Sequence, residues 1–362
     1  MMFWLTSVAL AAEGAPADSG SANAEAKSEG KGEGKADGKK AEKPSVKVSG
    51  VLYANYGVDL SEGADFANAF DLERAYLRAD GTVSDAWRVR LTLDSNRQKD
   101  AEVEVPDGLG GSSTVIVPAD TRLRTFVKHA YLEWRSPEAK GLRVRGGIVD
   151  TSYIGVEEDV MQLRWVGKTA LDQLKIEDTA DFGITGGGKH AKGLVSWQAA
   201  ILNGEGYTNP EVDAGKALQA RFTLDPLASG KKAQLPITAF VEENLHTGAD
   251  PTLTWAGGIG YKQTGVAAYA HVFGQSEGAI SGLGQAIAVS PEVPEVVRFL
   301  ARLDRWDPDG ATNDDGEMRL VGGVLHDFAE KVSLGLTYEH LMPEDPAASD
   351  EMAAFLRMQA GF

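Results

Sequence analysis

The sequence predicts an all-β fold, a 16-stranded antiparallel transmembrane β-barrel with short periplasmic turns and long extracellular loops. Three observations support this prediction. Apolar and polar residues alternate with a period of two in many segments, each of about ten residues, which is the length of a tilted membrane strand. Short and long connections follow one another along the chain. The number of segments is even, as closure of an antiparallel barrel requires when both ends lie on one side.

The alternation is clear where Trp87 and Val89 share one face and Arg88 and Arg90 share the other. The last residues alternate in the same way and end on Phe362, as the closing strand of an outer-membrane barrel does. The predicted strands are 46–58, 67–80, 86–95, 123–134, 141–149, 179–188, 193–202, 217–225, 235–243, 253–262, 265–274, 283–290, 295–306, 317–327, 331–341 and 352–362.

The connections distinguish a barrel from a soluble β-sandwich, whose strands alternate in the same way. The predicted short turns are 83–85, 136–141, 189–192, 262–265 and 329–331. The predicted longer polar loops are 95–121, 151–177, 203–215, 244–252, 307–316 and 342–351. Short turns at one end and long loops at the other are typical of bacterial outer-membrane barrels. Segment 283–290 has the weakest pattern and is included mainly because the count must be even.

The N-terminal part of the chain differs from this body. Residues 1–11 are almost wholly apolar and contain Ala9-Leu10-Ala11, which fits a signal-peptidase site, although no Lys or Arg precedes the run. We therefore interpret 1–11 as a signal-peptide remnant. Residues 12–45 are rich in Lys, Glu, Gly and Ala with little to bury, which predicts a disordered linker. The barrel is expected to occupy 46–362.

Composition excludes several classes of protein. The chain has no apolar run of about 18 residues, which argues against a helical membrane protein. It has no Cys, which excludes disulfides and thiolate chemistry, and its six His are scattered without metal-ligand spacing. Its net charge of −17 argues against a nucleic-acid partner. No metal and no cofactor are implied.

Arginines are abundant on the predicted lumen-facing phase of the strands. They are Arg74, Arg78, Arg88, Arg90, Arg143, Arg145, Arg221, Arg298, Arg302, Arg319 and Arg357. The acids on that phase are fewer and are Asp94, Glu133, Glu242, Asp304 and Glu339. A lumen biased towards cations attracts anions, and Arg binds phosphate or carboxylate well. The alternative is that these arginines pair with acids of the loops and only stabilise the wall.

The loop 151–177 is long and partly apolar, and its portion 156–171 is expected to form a short helix. Such a loop is expected to fold into the barrel and narrow it. The candidate constriction residues are Glu157, Glu158, Asp159, Arg164, Lys168 and Lys175. The alternative is a loop that packs over the outer rim or at a subunit interface.

Several segments together resemble the phosphate-selective porin (O and P type) family. They are FDLERAYLR at 70–78, HAYLE at 129–133, VRGG at 144–147, DFG at 181–183, WQAAILNG at 197–204, RLD at 302–304 with DP at 307–308, and RMQ at 357–359. The resemblance implies a 16-stranded, typically trimeric outer-membrane diffusion channel that often prefers anions. Phosphate selectivity in that family needs an arginine ladder and a lysine cluster. Lys168, Lys175, Lys189 and Lys192 form no obvious cluster in the sequence.

The predicted function is therefore a non-enzymatic outer-membrane porin for small hydrophilic solutes, with a preference for anions and with phosphate as one candidate. The expected partners are membrane lipid, lipopolysaccharide and two further copies of the chain. Two alternatives remain open. One is an esterase-like barrel enzyme that uses Ser276, which lies in a G-x-S-x-G pattern at 274–278. The other is a soluble ligand-binding β-sandwich.

Overall fold

The computed structural model describes residues 44–97, 101–106, 112–117, 122–211, 213–230, 232–247 and 250–362. The predicted signal-peptide remnant and nearly all of the predicted linker lie outside these residues. The strands are β1 (Ser45–Asp59), β2 (Asn68–Thr82), β3 (Trp87–Arg97), β4 (Ala101–Pro106), β5 (Ser112–Val117), β6 (Leu123–Arg135), β7 (Arg143–Asp150), β8 (Ala180–His190), β9 (Val195–Leu202), β10 (Ala217–Leu224), β11 (Ala233–Gln234), β12 (Ile237–Asn244), β13 (Thr252–Gln263), β14 (Val266–Glu277), β15 (Ile280–Val293), β16 (Val297–Asp307), β17 (Glu317–Ala329), β18 (Val332–Pro343) and β19 (Glu351–Gly361). The helices are α1 (Ile154–Met161), α2 (Ala170–Gln173) and a 3-10 turn at Ala191–Gly193.

All strands except β4 and β5 form one antiparallel sheet that closes on itself. Closure is made by β1 and β19, whose register runs from Val51 opposite Gly361 to Asp59 opposite Ala353. The short β11 and the following β12 are interrupted at Pro236, and both pair with β13, so they occupy one position in the sheet. The barrel therefore has 16 strands, as the sequence predicted.

The predicted strands agree with the observed ones to within a few residues. The segment with the weakest pattern, 283–290, lies inside β15, which is 14 residues long. Its inward positions are Gly282, Gly284, Ala286 and Ala288, which are buried under other side chains. These inward residues are small and apolar, and part of the outward face of β15 is apolar too. The two faces therefore differ little in polarity, and the period-two alternation is weak in this strand.

The two ends of the barrel differ, as predicted. Val83 to Ala86 and Glu330 to Lys331 join strands tightly at the end where β1 starts and β19 finishes. The opposite end carries the longest connections, although β14 and β15 are joined there by a two-residue turn and the eight-residue connection 225–232 lies at the turn end. The predicted loop 95–121 also contains the β4–β5 hairpin, which the sequence pattern did not predict. No helix in the described part of the chain is long and apolar enough to cross a membrane.

The exterior of the barrel is apolar and its interior is polar, the reverse of a soluble protein. Large apolar side chains such as Ile201, Phe222 and Leu336 are more than half exposed on the outer face. Inward residues on the same strands include Gln198, Gln219 and Thr337, all buried. In lipid such a closed barrel pairs the backbone groups of its strands and exposes mainly apolar side chains. The predicted alternative of a soluble sandwich is wrong, because the described residues contain one closed sheet rather than two packed sheets.

Candidate functional site

The connection between β7 and β8 folds into the lumen and packs against one side of the wall. Val160, Trp165 and their neighbours on this segment contact inward residues such as Tyr269 and Leu325. Trp165 is only 1% exposed and Leu325 is fully buried. The apolar half of the connection therefore forms the hydrophobic core of the barrel. We call residues 151–179 the inner loop and the inward face of β12–β17 the covered wall.

The helix expected within 156–171 is instead two short helices, α1 and α2. Gln162 ends α1 in a left-handed conformation with φ of 55°, and its backbone N–H donates to the carbonyl oxygen of Glu158. The chain between the helices turns at residues 164–166, where the backbone N–H of Val166 donates to the Leu163 carbonyl oxygen at 2.8 Å, and α2 begins after Thr169. The prediction of a single helix was wrong because periodicity does not register a left-handed break at a non-glycine residue.

A hydrogen-bonded aromatic cluster fixes the start of the inner loop. The Tyr269 hydroxyl donates to the Tyr153 hydroxyl at 3.1 Å, and Tyr153 lies 3.2 Å from His271 Nδ1. The Tyr153 ring also packs against Phe240, with ring centroids 5.2 Å apart. These contacts join the segment just before α1 to β12 and β14.

Glu157 on α1 faces the covered wall. It is 6% exposed, and its Oε2 lies 3.8 Å from His271 Nε2. Burial raises the pKa of Glu157 to about 7, against the opposing effect of the Arg302 charge. The ionisation of Glu157 is therefore coupled to the packing of α1.

Two cavities lie along the rest of the lumen. The loop-side cavity, of about 590 Å³, reaches Arg97 and Lys175, and the turn-side cavity, of about 450 Å³, reaches Lys331 and Phe362. Glu158 and Arg164 line both cavities. Glu158 Oε1 and Arg164 Nε form an ion pair at 3.3 Å. This pair of the inner loop marks the junction of the two cavities and is the candidate constriction.

Basic side chains outnumber acidic ones on both cavity linings. The loop-side cavity is lined by eight Lys and Arg side chains and five Asp and Glu side chains. The turn-side cavity is lined by five and two. The basic residues are Arg74, Arg97, Arg164, Lys168, Lys175, Arg302, Arg319 and Arg357 in the first, and Arg78, Arg90, Lys128, Arg164 and Lys331 in the second.

Most of these arginines are held by carboxylates. Arg74 Nη1 lies 3.2 Å from Asp94, which is fully buried, and Arg302 Nη2 lies 2.6 Å from Asp304. The further pairs are Arg78 and Arg90 with Asp80, Arg145 with Glu133 and Asp150, Arg298 with Asp327, Arg319 with Glu339, and Arg357 with Glu73 and Glu339. Most of the arginines are therefore paired, with acids of the strands, and basic side chains still outnumber acidic ones on both cavity linings.

The acids predicted to face the lumen did not include four of these partners, namely Glu73, Asp80, Asp150 and Asp327. A sequence signal exists for part of the pairing. Arg78 and Asp80, like Arg302 and Asp304, are two residues apart, so they lie on the same face of one strand. An i, i+2 pair of opposite charges is therefore a sign of a neutralised arginine.

Lys128 is a lumen residue that the alternation missed. It is the extra residue of a β-bulge in β6, since Thr92 faces His129 while Leu93 faces Val127. The bulge turns Lys128 inwards beside His129, and it is 8% exposed. Its Nζ lies 5.1 Å from the centre of the Tyr76 ring and 3.4 Å from the Tyr76 hydroxyl.

The structure does not bring all predicted residues to the two cavities. Of the arginines, the lining includes Arg74, Arg78, Arg90, Arg302, Arg319 and Arg357 but not Arg88, Arg143, Arg145, Arg221 or Arg298. Arg88 donates to the Ser84 carbonyl at the turn end, and Arg221 donates to Thr223 at 3.1 Å. Five of the six predicted constriction residues line the loop-side cavity, namely Glu157, Glu158, Arg164, Lys168 and Lys175. Asp159 is exposed and does not line this cavity.

A third cavity borders the C-terminal part of the inner loop, and the charged side chains that line it are mainly acidic. This acidic recess, of about 220 Å³, is lined by Lys175 and by Glu177, Asp178, Asp181, Glu242 and Glu277. Burial and the neighbouring Asp172 raise the pKa of Asp178 to about 6. The inner loop thus separates a cation-rich path from an acidic recess.

The enzyme alternative lacks its structural context. Ser276 lies within β14, and β15 follows after a two-residue turn. A nucleophile elbow requires a helix directly after the strand. The serine faces Ser281 of β15 across the hairpin.

Solved structures with the same architecture are bacterial outer-membrane proteins. The anion-selective porin from Comamonas acidovorans has 12% sequence identity and a TM-score of 0.57, over 88% of this chain and 100% of that chain. OprB from Pseudomonas putida has 7% identity and a TM-score of 0.61, over 88% and 94%. OmpT from Vibrio cholerae, in its trimer form, has 11% identity and a TM-score of 0.59, over 89% and 100%.

Sequence comparisons add nothing to this result, because no protein-family model and no curated protein matches the chain. At identities of 7–12% the likeness establishes the fold alone. The chain has the fold of bacterial outer-membrane porins. A closed 16-stranded barrel with an apolar exterior belongs in the bacterial outer membrane.

Proposed function

We propose that this chain is an outer-membrane porin through which small hydrophilic solutes diffuse down their gradients, with a preference for anions. The observation that carries the proposal is the pair of cavities that meet at Glu158 and Arg164. Solutes pass between the Glu158–Arg164 ion pair of the inner loop and the opposite wall of the barrel. No covalent chemistry and no cofactor are needed for this function.

The anion preference rests on where the charges lie. Asp94, Asp172 and Asp304 neutralise part of the charge of their basic partners but do not line either cavity. The basic side chains Arg74, Lys168 and Arg302 do line the loop-side cavity. An anion in that cavity is therefore nearer to the positive member of each pair, and the field favours it at low ionic strength.

The proposal covers small anions in general rather than phosphate alone. Lys168 and Lys175 line the loop-side cavity, but Lys189 lies at the end of β8 and Lys192 in the turn at the opposite end of the barrel. The four lysines therefore form no cluster that would favour a doubly charged phosphate at one point.

We also propose a homotrimer in contact with lipid and lipopolysaccharide. The support is the trimer form of the Vibrio cholerae OmpT structure and the apolar outer face of the barrel. Chemical cross-linking in detergent at several protein concentrations measures the number of subunits.

The decisive experiment is a planar-bilayer recording of the purified full-length chain in a KCl gradient. A reversal potential displaced towards the chloride equilibrium potential is the expected result, since the linings carry more basic than acidic side chains. A displacement towards the potassium potential contradicts the anion preference. An absence of channels from correctly folded, heat-modifiable protein contradicts the porin function itself.

A further inference from the structure

Gln219 of β10 fastens both ends of the inner loop to the wall. Its Oε1 accepts a hydrogen bond of 2.9 Å from the backbone N–H of Ser152, at the start of the loop. Its Nε2 donates to Oε1 of Glu177, near the end of the loop, at 2.8 Å. The same Nε2 donates to Oε2 of Glu242 on β12. Because Oε1 is used by a backbone donor, the amide orientation is fixed and its NH₂ group must face the two carboxyl groups.

The carboxyl groups of Glu177 and Glu242 are buried together. Glu177 is 4% exposed, Glu242 is 9% exposed and Gln219 is 4% exposed. Both carboxyl oxygens bind one nitrogen atom, so they lie within two hydrogen-bond lengths of each other. Within the part of the chain that the structure describes, no ion pair joins Glu177 or Glu242 to a basic side chain. Two carboxylates at this separation in a site removed from water do not both ionise, and such pairs hold a proton between them.

We propose that Glu177 and Glu242, which both accept from the Gln219 amide, share one proton between their carboxyl groups. This protonated pair positions the C-terminal end of the inner loop on the lumen wall. The three side chains are positioning residues, because they act on permeation only through the loop that carries Glu158 and Arg164. The proposal rests on the proposed function in one respect, since it takes the inner loop to be the constriction of the channel.

The surrounding charges reinforce proton uptake. Asp178 on the loop, Asp181 on β8 and Glu277 at the end of β14 line the same recess. Lys175 and His246 are the basic groups on that lining. Burial, with Glu242 and Asp178 adding their negative charge, raises the pKa of Glu177 well above its usual range. When pH rises far enough to remove the shared proton, the two carboxylates repel each other, and the end of the loop separates from β12.

The test uses a nitroxide label on the inner loop, read by electron paramagnetic resonance. The chain has no native Cys, so Gln173→Cys gives a single labelling site next to the end of α2. In protein reconstituted into liposomes, the ratio of mobile to immobile label is expected to rise with pH, approaching tenfold per pH unit until the pair is fully ionised. In Glu242→Gln and in Glu177→Gln, the pair has lost one ionisable carboxyl group, and this ratio is expected to rise much less with pH.

Glu277→Gln is the matched control, because Glu277 lines the same recess without binding Gln219. It is expected to keep the pH response of the otherwise unchanged protein. Equal pH responses in all variants, or no response in any, overturn the proposal. A response abolished by micromolar Ca²⁺ and restored by EDTA also overturns it, because a metal ion then replaces the proton. None of these readouts needs conduction, so a failure of the porin function remains a separate result.

Discussion

The two sides of the lumen show how one strand pattern produces two surfaces. On the covered wall the inward residues include Phe240, Tyr269 and Phe273, buried under the inner loop. On the open wall, which we define as the inward face of β2, β3 and β6, they include Arg74 and Asp94. Both sets occupy the same inward phase of the alternation. The residue types at these inward positions, rather than the alternation itself, decide whether a wall packs against the inner loop or faces the solute.

The covered wall is also shaped to receive the loop. A Cβ at Gly260 would lie 2.9 Å from Val160 Cγ2 of α1, and one at Gly335, on β18 next to the covered wall, would lie 3.0 Å from the Trp165 ring. Glycine at these two positions allows the loop to approach the sheet closely. The open wall holds charged pairs such as Arg74 with Asp94, whose basic groups face the cavities, and the covered wall also carries such a pair, Arg302 with Asp304 on β16.

The largest expected effect comes from removing the packing on the covered wall. Trp165→Ala deletes a side chain that is 1% exposed, and such deletions cost about 3–5 kcal/mol. The loop is then expected to leave the wall, which raises single-channel conductance and current noise and lowers the temperature of heat modification.

Trp87→Ala is the control, because Trp87 is 40% exposed on the outer face. It is expected to leave conductance unchanged. If both variants conduct like the original protein, packing on the covered wall does not determine the width of the channel.

A smaller effect is expected from pH, through Glu157. Its folded pKa of about 7 lies above the usual value of 4.5, so the packing of α1 is strongest below about pH 4.5 and weakens as pH rises through 7. The full difference corresponds to about 3 kcal/mol. The heat-modification temperature is expected to fall between pH 5 and pH 8, and Glu157→Gln is expected to reduce that fall. An unchanged pH dependence in Glu157→Gln means that other groups control it.

Much of the fold was predictable, because closure, strand length and alternation leave few alternatives. The inward position of most predicted arginines followed from the same alternation. Lys128 did not, because a β-bulge in β6 shifts the phase by one residue. The pairing of Arg357 with Glu73 was also hidden, since it joins β19 to β2 across the closure of the barrel, 284 residues apart in the chain. Long-range proximity of this kind is absent from a local pattern.

The smallest effect, and the sharpest test of the open path, concerns one charge at the junction of the cavities. Arg164→Gln removes a basic group that lines both cavities, and the ratio of anion to cation permeability is expected to fall about twofold to fivefold at low salt. Arg305→Gln is the matched control at the rim, where Arg305 pairs with Glu344 at 3.0 Å and both side chains are largely exposed. Exposed pairs contribute little, so this ratio is expected to stay the same. If Arg305→Gln changes the reversal potential as much as Arg164→Gln, then the charge of the outer loops rather than the junction determines which ions pass.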